Sequence, residues 1–93
     1  MKITHNEEKT RFDLYDDAGT HVGEIEYMRG GNNELYATHT EVFPGSEGKG
    51  YAGHLLQALV DYAAGQDAKI VPICGYVKAK FTNEPEKYAA VIK

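Results

Sequence analysis

The chain has a single cysteine, Cys74, so it can neither close an internal disulfide nor supply a cysteine-based zinc site. Its four histidines are scattered, none at the i, i+4 spacing of a helical metal pair, and no metal is expected. No run approaches the roughly 20 apolar residues of a membrane span, and the opening "MKITHNEEKT" lacks the apolar stretch of a signal peptide. These absences predict a soluble, cytoplasmic protein. Cations are in the minority: 10 Lys and Arg against 14 Asp and Glu give a net charge of −4. That argues against nucleic acid as a partner, because duplex affinity comes largely from many basic side chains. Any bound anion is expected to be small. Repeats and low-complexity tracts are missing too, and 93 residues with 42% hydrophobic content suffice for one core but not two. One domain over residues 1–93 is predicted.

What is present begins as β-structure. "MKITHN" and "TRFDLYDD" alternate apolar with polar residues, which sets Phe12 and Leu14 on one face and Arg11 and Asp13 on the other. "DDAGTH" reads as a turn. In "HVGEIEYM" the spacing from Val22 to Ile25 slips by one, the mark of a bulge or an irregular start. "RGGNNE" is a loop, and "LYATHTEVF" is a nine-residue strand stopped by Pro44.

From Gly50 the period changes to that of a helix. Ala52, Leu55, Leu56, Leu59 and Ala63 form one apolar stripe over about four turns, with Gly65 as the expected stop. "AKIVPI" is a short buried strand that Pro72 should end, parallel to "LYATHTEVF" through a right-handed crossover. Val77 and Phe81 suggest a further short helix, and Pro85 a last turn through "EKYAAVI".

Gly48, Gly50 and Gly53 surround the junction between strand and helix. There a chain can aim unpaired N–H groups at one point, helped by the helix dipole, and a phosphate or pyrophosphate fits such a place. A bare Gly-x-Gly is more often a plain flexible loop. The spacing matches neither a P-loop nor the dinucleotide fingerprint.

The stretch "EGKGYA", Glu47 to Ala52, resembles the acetyl-CoA loop of the GCN5-related N-acetyltransferases: Arg or Gln, two residues, Gly, one residue, Gly or Ala. Gly50 and Ala52 match, while Glu47 stands where Arg or Gln is usual. A carboxylate there repels a pyrophosphate unless it points away, and Lys49 could offset it. Nearly the whole chain is similar to the miniature, GNAT-like (YjdJ-type) branch of that superfamily, through "HTEV" at His39 to Val42, the glycine loop with "HLL", and "VPICGYVKAKF". The resemblance implies a minimal α+β fold: antiparallel strands, a β-α-β crossover with a parallel pair, and one or two short C-terminal helices. It implies acetyl-CoA as cofactor, its pyrophosphate on amides from Glu47 to His54 (Glu47, Gly48, Lys49, Gly50, Tyr51, Ala52, Gly53, His54). Val42, Tyr76 and Lys78 are added as cofactor-binding candidates, with Lys80 as a second basic residue near the phosphates. The pantetheine arm would lie between the two diverging parallel strands.

Moving an acetyl group to an amine needs a base, a polarised carbonyl and a proton for the leaving thiolate. His39 and Glu41 are two apart on one strand, so they share a face about 7 Å apart and could deprotonate an amine. A packed His39 and a solvated Glu41 are the structural alternative. In the resembling fold Cys74 would lie near the acetyl group and could accept it as a thioester, given a depressed thiol pKa; otherwise it is an apolar filler. The expected activity is that of an acetyl-CoA-dependent N-acetyltransferase acting on a small amine or a lysine-containing peptide, with dimerisation as a way to complete the cleft. A non-catalytic CoA-binding module and a plain interaction domain are the competing classes.

Overall fold

Period-two alternation in the first half becomes four strands: β1 (Lys2–Asn6), β2 (Arg11–Tyr15), β3 (His21–Arg29) and β4 (Glu34–Val42). The 3.6-residue stripe becomes α1 (Tyr51–Gly65), followed by β5 (Lys69–Pro72) and α2 (Gly75–Asn83). The computed structural model describes residues 1–93. Its one sheet runs β1-β2-β3-β4-β5, antiparallel until the last pair, where β5 lies parallel to β4 through α1. The expected α+β arrangement is therefore present, and of the one or two C-terminal helices expected, one forms. No helix is long and apolar enough to cross a membrane.

α1 lies across one face of the sheet. Its Leu55, Leu56, Leu59 and Ala63 are fully buried against Phe12, Leu14, Ile25, Tyr27, Leu35 and Ala37 in one core. Each fully buried Leu contributes about 1.5–3 kcal/mol, so this stripe holds the helix in place. Gly23 sits where α1 crosses closest: a Cβ there would lie 2.8 Å from the Glu41 carbonyl and 3.3 Å from Leu55 Cδ1. The other sheet face carries polar side chains, among them Arg11, Glu24, Glu26, His39 and Glu41. Asp13 lies on that face, as expected, yet is buried at 5% exposure. Arg11 Nε at 2.8 Å, two residues away on the same face of β2, and His21 Nε2 at 3.2 Å, from β3, cover its carboxylate; only the contact from β3 leaves no trace in the alternation.

Two bulges interrupt the register. Val22 is the extra residue of β3 opposite Leu14 and Tyr15, in the place where the slip from Val22 to Ile25 points. The second was not legible: Glu26 pairs with His39 and Tyr27 with Ala37, which leaves Thr38 unpaired on β4. It reverses the phase of that strand. Leu35 and Ala37 face the core, and past the bulge Thr40 and Val42 do so while His39 and Glu41 turn to the polar face.

α1 ends at Gly65, as expected, but the left-handed conformation that follows falls on Asp67, at φ 54°. The Asn33 amide, from the β3–β4 loop, donates to the carbonyls of Gln66 at 2.9 Å and Asp67 at 2.8 Å, and so satisfies the helix end from outside. Pro85 opens the expected last turn: residues 85–91 are turns, with the Lys87 N–H on the Glu84 carbonyl at 3.1 Å and the Val91 N–H on the Tyr88 carbonyl at 3.0 Å. The tail folds back so that Tyr88 stacks on Phe81, and Ile70 N–H donates to the Val91 carbonyl at 2.6 Å. The exposed edge of β5 claims that backbone, because its donors would otherwise be unpaired.

Candidate active site

The loop from β4 to α1 is held open by its glycines. Gly48 at φ 80° and Gly50 at φ 78° occupy the left-handed region, where an L-residue pays about 1–2 kcal/mol. A Cβ at either would meet nothing within 4 Å, so the backbone faces open space. Gly50 caps α1 with no side-chain bond, and no acidic residue sits in the first turn to offset the dipole. The N–H groups of Tyr51, Ala52 and Gly53 precede the first intrahelical acceptor, whereas the His54 N–H is already spent on the Gly50 carbonyl at 3.2 Å. Glu47 folds back: its Oε1 accepts the Gly45 N–H at 2.8 Å. The carboxylate that stands where Arg or Gln is usual thus closes the turn, and the amide bond draws off part of its charge.

A cleft of about 400 Å³ opens beside this loop. Val42, Ser46, Glu47, Gly48 and the run from Gly50 to Gly53 form one wall, and Tyr76 and Lys80 of α2 the other. Lys49, His54 and Lys78, expected to share it, are exposed and outside the lining. On α2, Tyr76 and Lys80 are four apart and share a face, whereas Lys78 is half a turn away. Helical spacing from Tyr76 was the signal that selects Lys80. A wider hollow of about 580 Å³ lies at the β1–β2 edge, lined by Met1, Thr4, Asp16 and Asp17 among others. It offers no glycine-loop amides, so we place the site in the smaller cleft; Cys74 lies outside the lining of both, two residues before Tyr76.

β4 and β5 part company beside Cys74. The N–H groups of Ile73 and Cys74 both donate to the Ala37 carbonyl, at 3.0 and 2.8 Å, the last rung before the Thr38 bulge. Cys74 then caps α2, and its Sγ–H donates to Thr40 Oγ1 at 3.5 Å. Burial pushes the thiol pKa up, but hydrogen bonds from the Thr40 hydroxyl and the Val77, Tyr76 and Thr40 amides outweigh it, holding the thiol below its ordinary value. Thr40 was missed in the sequence because the bulge decides its face. Tyr76, one residue into α2, has its phenol pushed up by burial and stays a proton donor.

His39 and Glu41 do form a pair, Nε2 to Oε1 at 3.3 Å, with both side chains about half exposed. They flank Thr40 and so project from the opposite face to Cys74. The three expected catalytic residues therefore divide between two sides of the β4 edge. Also on the polar face, Asp13, His21 and Glu24 converge within 4.8 Å, with Arg11 already bound to Asp13.

A parallel pair that parts after a β-α-β crossover and a glycine loop at a bare helix start are the arrangement that the resemblance to the N-acetyltransferases implies. A model of the GCN5-related N-acetyltransferase family matches residues 11–91, and the chain belongs to that family of enzymes. Among solved structures, it is similar to a GCN5-like protein from Staphylococcus aureus, assigned as an N-acetyltransferase. The two share 28% identity and a TM-score of 0.76, over 99% of this chain and 87% of that one. Nourseothricin acetyltransferase shares the fold at 20% identity and TM-score 0.62, over 78% of this chain and 46% of its own. Tetrahymena GCN5 does so at 10% identity and TM-score 0.63, over 80% and 48%. The chain thus spans about half the length of these two larger enzymes. A comparison with curated proteins finds no match.

Proposed function

We propose that the protein is an acetyl-CoA-dependent N-acetyltransferase that holds the nucleotide's diphosphate on the Gly48–Gly53 amides and works at Cys74, two residues before the cleft-lining Tyr76. The carrying observation is the bare start of α1: free N–H donors, left-handed Gly48 and Gly50, and open space where their Cβ atoms would stand. Those features fit a diphosphate, which a side chain would keep away from the backbone. Membership of the family and the likeness to acetyltransferases of known structure support this assignment. When bound, acetyl-CoA supplies a thioester whose carbonyl is open to attack.

The residues of the chain divide the remaining work. Thr40 and the first amides of α2 stabilise a Cys74 thiolate against its desolvation, which suits a nucleophile that takes up an acetyl group. Tyr76 keeps its proton at neutral pH and can donate it. His39 and Glu41, on the open face, can take a proton from an incoming amine, and the acidic face around them suits a basic acceptor such as a small amine or a lysine-bearing peptide.

Thermal-shift and mass-spectrometric measurements with CoA and acetyl-CoA test this. Stabilisation by both ligands is expected, together with an acetyl group on Cys74 or on an added amine. Stabilisation without any transferred acetyl group leaves only a binding module, and no stabilisation by either ligand removes the proposal altogether.

A further inference from the structure

Two basic residues alternate along α2, and only Lys80 reaches the cleft, where it lines the same hollow as Gly48, Gly50 and Tyr51. No other Lys or Arg does so, and the nearest carboxylate in the lining, Glu47, is engaged by the loop. Yet Lys80 is not free. Its Nζ lies 3.2 Å from Glu84 Oε2, one helical turn on, while Lys87 approaches the other Glu84 oxygen at 3.9 Å. Glu84 therefore has two ammonium partners, and Lys80 can leave without stranding it. Exposed ion pairs of this kind are weak. A charge-assisted contact to a phosphate beside a bare helix start is stronger.

Building on the acetyl-CoA reading above, we propose that Lys80 is the side-chain cation for the nucleotide's diphosphate and that Glu84 competes with the ligand for it. Binding moves the ammonium from Glu84 to the diphosphate and leaves Glu84 to Lys87. The glycine loop supplies geometry through its amides, and Lys80 supplies the one full positive charge of the cleft lining, since Lys49 of the loop lies outside it. Glu84 consequently acts as a brake on affinity, although it lines no part of the cleft.

Isothermal titration of the full chain with CoA and with dephospho-CoA at low salt tests this in the wild type, Lys80→Gln, Lys80→Arg, Glu84→Gln and the Lys80→Gln/Glu84→Gln double variant. The wild type must bind both ligands; if it binds neither, the acetyl-CoA reading fails, whatever the variants do. Given that binding, Lys80→Gln should weaken both ligands by about tenfold, and Lys80→Arg should retain most of the affinity. Glu84→Gln should tighten binding by up to about fivefold, and should have no effect once Lys80 is gone. Either single change breaks the same i, i+4 pair, so a purely structural role would move both affinities the same way. Opposite signs support the competition. A loss with CoA that spares dephospho-CoA would assign Lys80 to the 3′-phosphate and overturn the diphosphate assignment. Weaker or unchanged binding in Glu84→Gln would overturn the competition. Unliganded melting temperatures show that each variant is folded.

Discussion

The two ends of α1 treat ionisable groups in opposite ways. At its C-terminal end, Tyr62 joins His5, Phe12 and Tyr27 in an aromatic cluster: His5 stacks on Phe12 at 4.0 Å, and its Nε2 meets the Tyr27 hydroxyl at 2.6 Å. Arg29 spans Tyr27 and Tyr62 and donates to the Tyr62 hydroxyl. There burial is the largest influence. It pushes Tyr27 up to about 12, with the Tyr62 phenol adding to the rise, and it lowers His5. Both groups stay neutral. At the N-terminal end burial acts on Cys74 in the same sense, and hydrogen-bond donors overrule it. One end is closed by side chains that satisfy one another, whereas the other keeps backbone donors unspent. On the acetyl-CoA reading chemistry belongs at the second end, where donors favour the anionic form of a nucleophile, whereas the charge favoured at the first end is the Arg29 guanidinium held by Tyr62.

The sharpest way to break this comparison is to remove one residue from each end. Tyr27→Ala deletes a fully buried ring together with the His5 contact, and should cost about 3–5 kcal/mol in urea unfolding while the folded fraction still binds CoA as before. Gly50→Ala should show the reverse balance. Stability falls by only about 1–2 kcal/mol from the left-handed φ, since the Cβ meets no neighbour. CoA affinity should fall more than about tenfold, because the helix start no longer aims its amides at one point. Equal losses of stability and affinity in both variants would mean that the two ends are not separable.

How far each end was legible follows the range of the interactions that build it. The crossover, the α1 stripe and the glycine loop are written in neighbouring residues, so periodicity and spacing found them. The aromatic cluster joins β1, β2, β3 and α1, and no local pattern announces that His5 and Tyr62 will meet. Within the site the same limit applies. Gly48 and Gly50 were readable, but the face of His39 depends on the Thr38 bulge, a property of how β3 and β4 pair. Of the two lysines that the sequence puts near the phosphates, Lys78 and Lys80, it is Lys80 that lines the cleft, four residues on from Tyr76.

The aromatic end should also respond to acid. His5 has a folded pKa below that of the unfolded chain, chiefly through burial and despite the Glu7 charge. Above about pH 6.5 neither state is protonated there, and its contribution to stability is constant. As the pH falls through 6.5, the unfolded chain binds a proton that the folded one resists. Stability is therefore lost downward until the lower folded value is passed. Urea midpoints at pH 7.5 and 5.5 should fall more steeply in the wild type than in His5→Gln. Parallel slopes would show that the cluster accepts the proton without penalty.

The smallest predicted effect bears most directly on the site. Iodoacetamide alkylation of Cys74 followed against pH should give a midpoint below the ordinary thiol value near 8.5, since the thiolate is the reacting form. Thr40→Val keeps the shape of the side chain and removes its hydroxyl, so the midpoint should rise while the unfolding free energy changes little. Of the donors that can turn to the thiolate, the Thr40 hydroxyl contributes most; the amides of Val77 and Tyr76 belong to the α2 backbone and cannot be removed by a side-chain change. A midpoint that stays put in Thr40→Val would assign the depressed thiol to the helix start alone, and the β4 bulge, which brings Thr40 to this face, would lose its chemical purpose. A rise that stops short of the ordinary value would apportion the effect between the two elements, and so measure how much of the nucleophile depends on strand pairing rather than on the helix that follows it.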